Sequence, residues 1–400
     1  MIQTTALANG VRIVSQRLSG LRSVAVGLWL INGARHEAPQ QAGYAHFLEH
    51  LFFKGTHRLD VSALALRLEA MGGQVNAHTG RELTALHGLV AREDAWELLA
   101  TLTDMLCTPR FDDEDVRLER QVILQEMAMI DDDPEEALED GAVSLAWANH
   151  PLGTPVLGRH ETIEAATAPE LRDYLSRQIS GGRVIVVTAG DVDHDRLVAS
   201  CEGLAALRAG DAPPQTAPRF VPGEHRVGRS REQTQLLWLM PVPPPASEHY
   251  YTLLVANHLL GGGVSSRLFQ ALRERLGWVY GVHSRLEFYA DAGMWLIQTA
   301  CDPRRADSCT EAVGNTVGRL LAEGPAPHEL EIARRHLGAT LTIDDDHPES
   351  VMERLAREAV HLGRHPTLTE RAQRLAAVDA KAVNGVLADA WHQHLFARTG

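Results

Sequence analysis

The stretch GYAHFLEHLFFKGT, residues 43–56, sets His46, Glu49 and His50 within five positions. On a helix, residues four apart stand about 40° apart around the axis, so both imidazoles share one face and could grip a single cation. Neutral imidazole is a common zinc ligand, and a catalytic zinc site takes three protein ligands while leaving a fourth position for water. Glu49, beside His50, could take the proton from that water and later deliver it to a leaving amine. With 20 histidines in 400 residues, H-x-x-E-H arises by chance in roughly one chain in fifteen, so the five letters need context. That context is Gly43 ahead of the helix and Phe47, Leu48, Leu51, Phe52 and Phe53 to bury it. A buried helix with two unpaired histidines and a carboxylate is costly without a metal or partners.

A third ligand would come from another element. DDEDVRLERQVILQEMAMIDDDPEE, residues 112–136, carries Glu119 and Glu126 seven positions apart. Two helical turns separate them, so they share a face. One could ligate while the other hydrogen-bonds to a ligand histidine, although a solvated acidic face is the plainer reading of such a segment. His57, His78 and His87 lie near in sequence but no ligand spacing links them. The run DDDPEE, 131–136, reads as a solvated helix exit, and GGGVSS, 261–266, lacks the Gly-Lys-Ser/Thr of a phosphate loop.

The elements that must position these residues follow from hydrophobic pattern. VRIVSQRL, SVAVGLWLING and RVIVVTAGDVD read as strands, with helical patterns at 43–54, 61–71, 92–107 and 112–130. Periodicity stops over RAGDAPPQTAPRFVPGEHRVG, residues 208–228, a Pro- and Gly-rich linker. Beyond it QTQLLWLMPVP followed by the helical HYYTLLVANHLLGGG echoes the order of the first half, so two α/β halves, 1–207 and 229–400, are expected and duplication is suggested. A chain of this length exceeds one comfortable core. The net charge of −14 opposes attraction to phosphate backbones or anionic lipid, so nucleic acid and membrane are not expected partners. No signal peptide or apolar span is seen. Cys107, Cys201, Cys301 and Cys309 lack C-x-x-C spacing and read as free thiols in a reducing cytoplasm.

Three segments together carry a resemblance: GYAHFLEHLFFKGT, MGGQVNAHTGRELT and LERQVILQEMAMIDDDP. The chain resembles the pitrilysin family of inverted-motif zinc peptidases, and within it the mitochondrial processing peptidase type and its bacterial relatives. The resemblance implies that His46, His50 and Glu126 hold one Zn²⁺ per chain, that Glu49 is the general base and that Glu119 supports the site from the same helix as Glu126. It puts Asn76 and Ala77 on a strand that binds substrate backbone by strand addition. LLGGGVSSRLFQALRERLGWVYGVHS is similar to the family segment whose Arg and Tyr reach substrate, here Arg273 and Tyr280. A guanidinium can hold carbonyls and a phenol can donate to a developing oxyanion. Gln125 stands where relatives often have a glutamate, which leaves the ligand position intact.

The fold so implied is α/β, with two similar domains, each a mixed sheet flanked by helices, enclosing a substrate chamber. The activity implied is zinc-dependent endopeptidase action on unfolded peptides or a precursor peptide, by a homodimer or by a heterodimer with a related chain. The alternatives are a noncatalytic or partner-dependent subunit of a two-chain assembly, and a processing enzyme dedicated to one precursor. The complete set of ligands, base and Arg/Tyr pair on one chain speaks for self-sufficiency.

Overall fold

The apolar runs of the first half pair into one mixed sheet. The structure, a computed structural model, describes residues 1–227 and 232–400. Its first sheet holds β1 (Ile2–Ala6), β2 (Arg12–Arg17), β3 (Ser23–Leu30), β4 (Gln74–Thr79), β5 (Thr84–Ala91) and β6 (Val184–Gly190), in the order β1-β2-β6-β3-β5-β4. β2 and β6 run parallel, and the other neighbours are antiparallel. Among the helices that lie between β3 and β6 are α1 (Tyr44–Phe52), α2 (Val61–Ala70), α3 (Ala95–Cys107) and α4 (Asp113–Asp132).

β3 is buried on both faces, which is why it reads as a nearly unbroken apolar run. Val24, Val26, Leu28 and Leu30 point into a core shared with Phe47, Leu48 and Leu51 of α1 and Ile123 of α4. Ala25 and Trp29, with Ile185 and Val187 of β6, point the other way and are covered by Val351, Met352, Leu355 and Ala356. Those four belong to the helix Pro348–His361, far along the chain.

The second sheet contains β7 (Gly223–Arg226), β8 (Thr234–Val242), β9 (Val279–Phe288), β10 (Gly293–Cys301) and β11 (Leu395–Arg398), ordered β7-β11-β8-β10-β9. Its pattern repeats β2-β6-β3-β5-β4 of the first, including the single parallel pair, β7 with β11. Trp238, Met240 and Trp295 pack with Leu253 and Leu260 of the helix Tyr250–Gly261. Leu237, Leu239, Met294 and Leu296 are covered by Leu138, Ala142 and Val143 of α5 (Pro134–Ala146).

Each sheet therefore has one face closed by a helix drawn from elsewhere in the chain. The two compact units are Met1–Ala128 with Thr154–Gln215 and Asp344–His365, and Met129–Gly153 with Thr216–Ile343 and Pro366–Gly400. The strand β7 lies inside the stretch 208–228 expected to join the halves; Gly228, its last residue, and Arg229, the first of the second half, fall outside the described residues. The acidic run 131–136 is a joint between two helices: Asp133 accepts hydrogen bonds from the N–H groups of Glu135 (2.8 Å) and Glu136 (3.3 Å) at the start of α5. Its sequence, IDDDPEE at 130–136, recurs as IDDDHPES at 343–350, and both units change hands at these two places. Among the described residues no helix is long and apolar enough to cross a membrane.

Candidate metal centre

α1 starts where it does because Gly43 sits at φ 93°, a left-handed conformation that suits glycine. A Cβ there would also stand 2.5 Å from the Leu157 carbonyl oxygen. No N-cap side chain serves the first turn; the buried Glu37 does so from the preceding loop, accepting the N–H groups of Gly43 (2.7 Å) and Ala45 (2.6 Å). Burial pushes its carboxyl up to about 8, against the pull of those two bonds. The apolar face of α1 is locked in the core, which fixes the directions of the two histidines and Glu49.

α4 brings its carboxylates to that face. His46 Nε2 and His50 Nε2 lie 3.7 and 3.6 Å from the same oxygen, Oε2 of Glu126. One ligand atom from each of His46, His50 and Glu126 falls within 4.8 Å of the others, and no other such cluster of three exists among the described residues. Two atoms bound to one zinc at about 2.1 Å, at angles between tetrahedral and trigonal, stand roughly 3.4–3.6 Å apart. The donor set therefore fits a zinc-sized ion.

Protonation favours the same fit. Burial, with a smaller contribution from His50, pushes His46 down to about 4, so its imidazole is neutral at physiological pH and has a lone pair to give. His50 Nδ1–H donates to Glu119 Oε2 at 2.9 Å, which leaves Nε2 as the acceptor facing the cluster. The other oxygen of Glu119 takes Lys54 Nζ at 2.6 Å. Although burial alone would raise it, hydrogen bonds from His50 and Lys54 hold the Glu119 carboxyl below its ordinary range. His46 Nδ1 is buried without a hydrogen-bond partner, so packing orients this ring, edge-on to His50 at 4.7 Å between centroids.

Glu49 is poised differently. Burial raises its pKa, while hydrogen bonds from the hydroxyl and backbone of Thr79 oppose the rise. Its Oε2 is buried and has no hydrogen-bond partner, so one basic oxygen remains to accept a proton. Thr79 ends β4, the last strand of its sheet, whose outer edge is unpaired among the described residues. On that strand Asn76 is exposed, with Oδ1 accepting the Ala77 N–H at 2.9 Å, and Ala77 is buried.

Arg273 and Tyr280 belong to the second unit. The Arg273 guanidinium lies over the rings of Phe269 (4.9 Å) and Tyr280 (5.7 Å), and Tyr280 is 89% exposed. His78 and His87 pack edge-on to each other, outside the metal-ligand cluster, and His57 is not part of it either. All four cysteines are free. The helix Tyr250–Gly261 follows β8 as α1 follows β3, but among the described residues it carries no cluster of metal-ligating side chains. The repeat keeps the fold and loses the donor set.

Sequence reasoning missed Glu37, Lys54 and Thr79. Glu37 acts across a loop of six to eight residues, with no helical spacing to betray it. Lys54 reads as a solvated cation, yet it is four residues beyond His50, a spacing that could have flagged it.

Residues 12–160 match the family model described as insulinase (peptidase family M16), and residues 165–337 match one described as the peptidase M16 inactive domain. An uncharacterized zinc protease of Mycobacterium leprae is 34% identical, over 99% of this chain and 90% of its own. One of Bacillus subtilis is 33% identical, over 96% and 95%. The solved structure of a protease from Helicobacter pylori superposes with a TM-score of 0.92 at 20% identity, covering 100% of this chain and 99% of that one. A peptidase M16 inactive domain from Pseudomonas fluorescens also gives 0.92, at 18% identity, over 100% and 98%. These two likenesses carry the fold.

Proposed function

The chain belongs to peptidase family M16, and from that premise we propose that it is a zinc-dependent endopeptidase acting on unfolded or precursor peptides. The observation that carries this reading is the convergence of His46, His50 and Glu126 beside the unpartnered oxygen of Glu49. The three converging residues would hold one zinc per chain. Zinc, when bound, polarises the scissile carbonyl and makes an attacking water acidic enough to lose its proton near neutral pH. Glu49 Oε2 is placed to take a proton from the attacking water and to pass it to the leaving amine, and burial raises its basicity. Glu119 fixes the tautomer of His50.

Substrate enters as an extended strand. The free edge of β4, with Asn76 and Ala77, offers backbone groups to a peptide, and the hydrogen bonds of Thr79 tie the end of that strand to Glu49. Only an unfolded segment can lie along an edge in this way. Arg273 holds substrate carbonyls and Tyr280 donates to the oxyanion. We assign the enzyme to the cytoplasm, in keeping with its four free thiols, as a dimer of identical or related chains.

The second reading, a subunit that needs a partner chain, is favoured by the match of residues 165–337 to an inactive domain. One experiment addresses both. Purified wild-type chain, alone, should hydrolyse unfolded peptides, and Glu49→Gln should keep its zinc while hydrolysis falls by about 10²- to 10⁴-fold. Turnover near wild type in the variant would remove Glu49 as the base. Zinc binding without hydrolysis in the wild-type chain alone would favour the subunit reading.

A further inference from the structure

We infer that Lys54 is a positioning residue for the metal centre: it holds Glu119 so that Glu119 can aim His50, and the chain's zinc affinity depends on an ammonium group that does not belong to the ligand set. This rests on the zinc reading of His46, His50 and Glu126.

Lys54 lies just past the end of α1, where its backbone N–H donates to the Leu51 carbonyl at 3.0 Å and so stays registered with the helix. Its side chain is 29% exposed, whereas that of Glu119 is 8% exposed. The two oxygens of Glu119 are divided between two donors, Lys54 Nζ at 2.6 Å on Oε1 and His50 Nδ1 at 2.9 Å on Oε2. The last torsion of a glutamate is broad and close to two-fold, so a carboxylate held by one oxygen alone swings about it. Lys54 closes that freedom, because the oxygen it pins fixes where the other one points. It also pairs a carboxylate that is buried beside His50, an arrangement that is costly when one partner is missing.

His46 shows the contrast. Its Nδ1 has no hydrogen-bond partner, and Glu126 is 41% exposed on its side chain. The relay from Lys54 through Glu119 to His50 is the part of the centre that is tied by hydrogen bonds to a second layer. Partners of this kind are worth about 10- to 100-fold in metal affinity.

The test is zinc affinity measured by competition with a chromophoric chelator, with the melting temperature of the metal-free protein as a second readout. Lys54→Met should raise the zinc dissociation constant about tenfold, and Lys54→Arg should restore most of it, since a guanidinium can still donate to Oε1. In a Glu119→Gln background, Lys54→Met should cost little more, because Lys54 acts only through that carboxylate. An unchanged dissociation constant in Lys54→Met, or an equal loss in both backgrounds, would overturn the inference. So would a lowered melting temperature with affinity intact, which is the mark of a merely structural lysine. A wild-type chain that binds no zinc, or a His50→Ala chain that binds it as tightly as wild type, would overturn the zinc reading itself and the inference with it. Lys54→Met failing while His50→Ala behaves as expected would overturn the inference alone.

Discussion

Leu355→Ala tests the exchange of helices between the two units. Leu355 is fully buried on the helix Pro348–His361, against Trp29, Ile185 and Val187 on the outer face of the first sheet. Truncation leaves a cavity between that helix and the sheet, and such changes cost about 2–5 kcal/mol. A unit of this size loses roughly 2–4 °C per kcal/mol, so about 3 kcal/mol lowers its melting point by roughly 6–12 °C. Calorimetry gives the shift, and hydrogen exchange shows where it acts. Amides of β3 and β6 should lose protection while those of β8 and β10 keep theirs. Leu138→Ala in α5 should do the reverse, since Leu138 is buried with Leu237 and Leu239. Loss of protection confined to β8 and β10 in the Leu355 variant, or a melting point within about 1 °C of wild type, would refute the assignment of this helix to the first sheet.

Two further expectations concern charge and substrate. His46 and His36 are both held down to about 4 by burial, against an ordinary 6.5, so between those values each of these two side chains binds more protons in the unfolded chain than in the folded one. The stability that each histidine contributes to the metal-free protein is then complete above pH 6.5 and is lost as pH drops towards 4, by at most roughly 3 kcal/mol each, while Glu37, raised to about 8, works in the opposite direction as pH falls below that value. Urea unfolding of wild type and His36→Gln at pH 7 and 4.5 checks this: acidification should be less favourable to wild type than to the variant, and an equal change in both contradicts it. Tyr280→Phe should lower kcat by roughly 10²-fold or more with zinc content and melting point unchanged, and normal turnover would return Tyr280 to the role of a surface aromatic.

What could be read in the sequence was whatever is local. His46, Glu49 and His50 lie within one turn and a half of helix, and Glu119 and Glu126 share a face by spacing alone, so each half of the donor set was visible. That α1 and α4 meet is a tertiary fact, and only likeness to a family supplied it. Strands buried on both faces announced themselves as apolar runs, as β3 and β8 did. β7 did not, because GEHR is short and polar and its pairing partner lies at the far end of the chain. The exchanged helices were also hidden: periodicity says that Pro348–His361 has an apolar face, not which sheet it covers. A trace of the exchange was present in the repeat IDDDPEE and IDDDHPES, whose two copies lie at two of the places where the chain crosses between units. Glu37 and Thr79 act through loop and strand-end contacts, which leave no periodic signature.

We propose that His46, His50 and Glu126 hold a catalytic zinc. Elemental analysis of the dialysed wild-type chain beside His50→Ala tests it most directly. About one zinc per wild-type chain, and most of it lost from the variant because two remaining ligands fall short of the usual three, is the predicted result. A variant that keeps its full complement of zinc, or a wild-type chain that holds none, would contradict it.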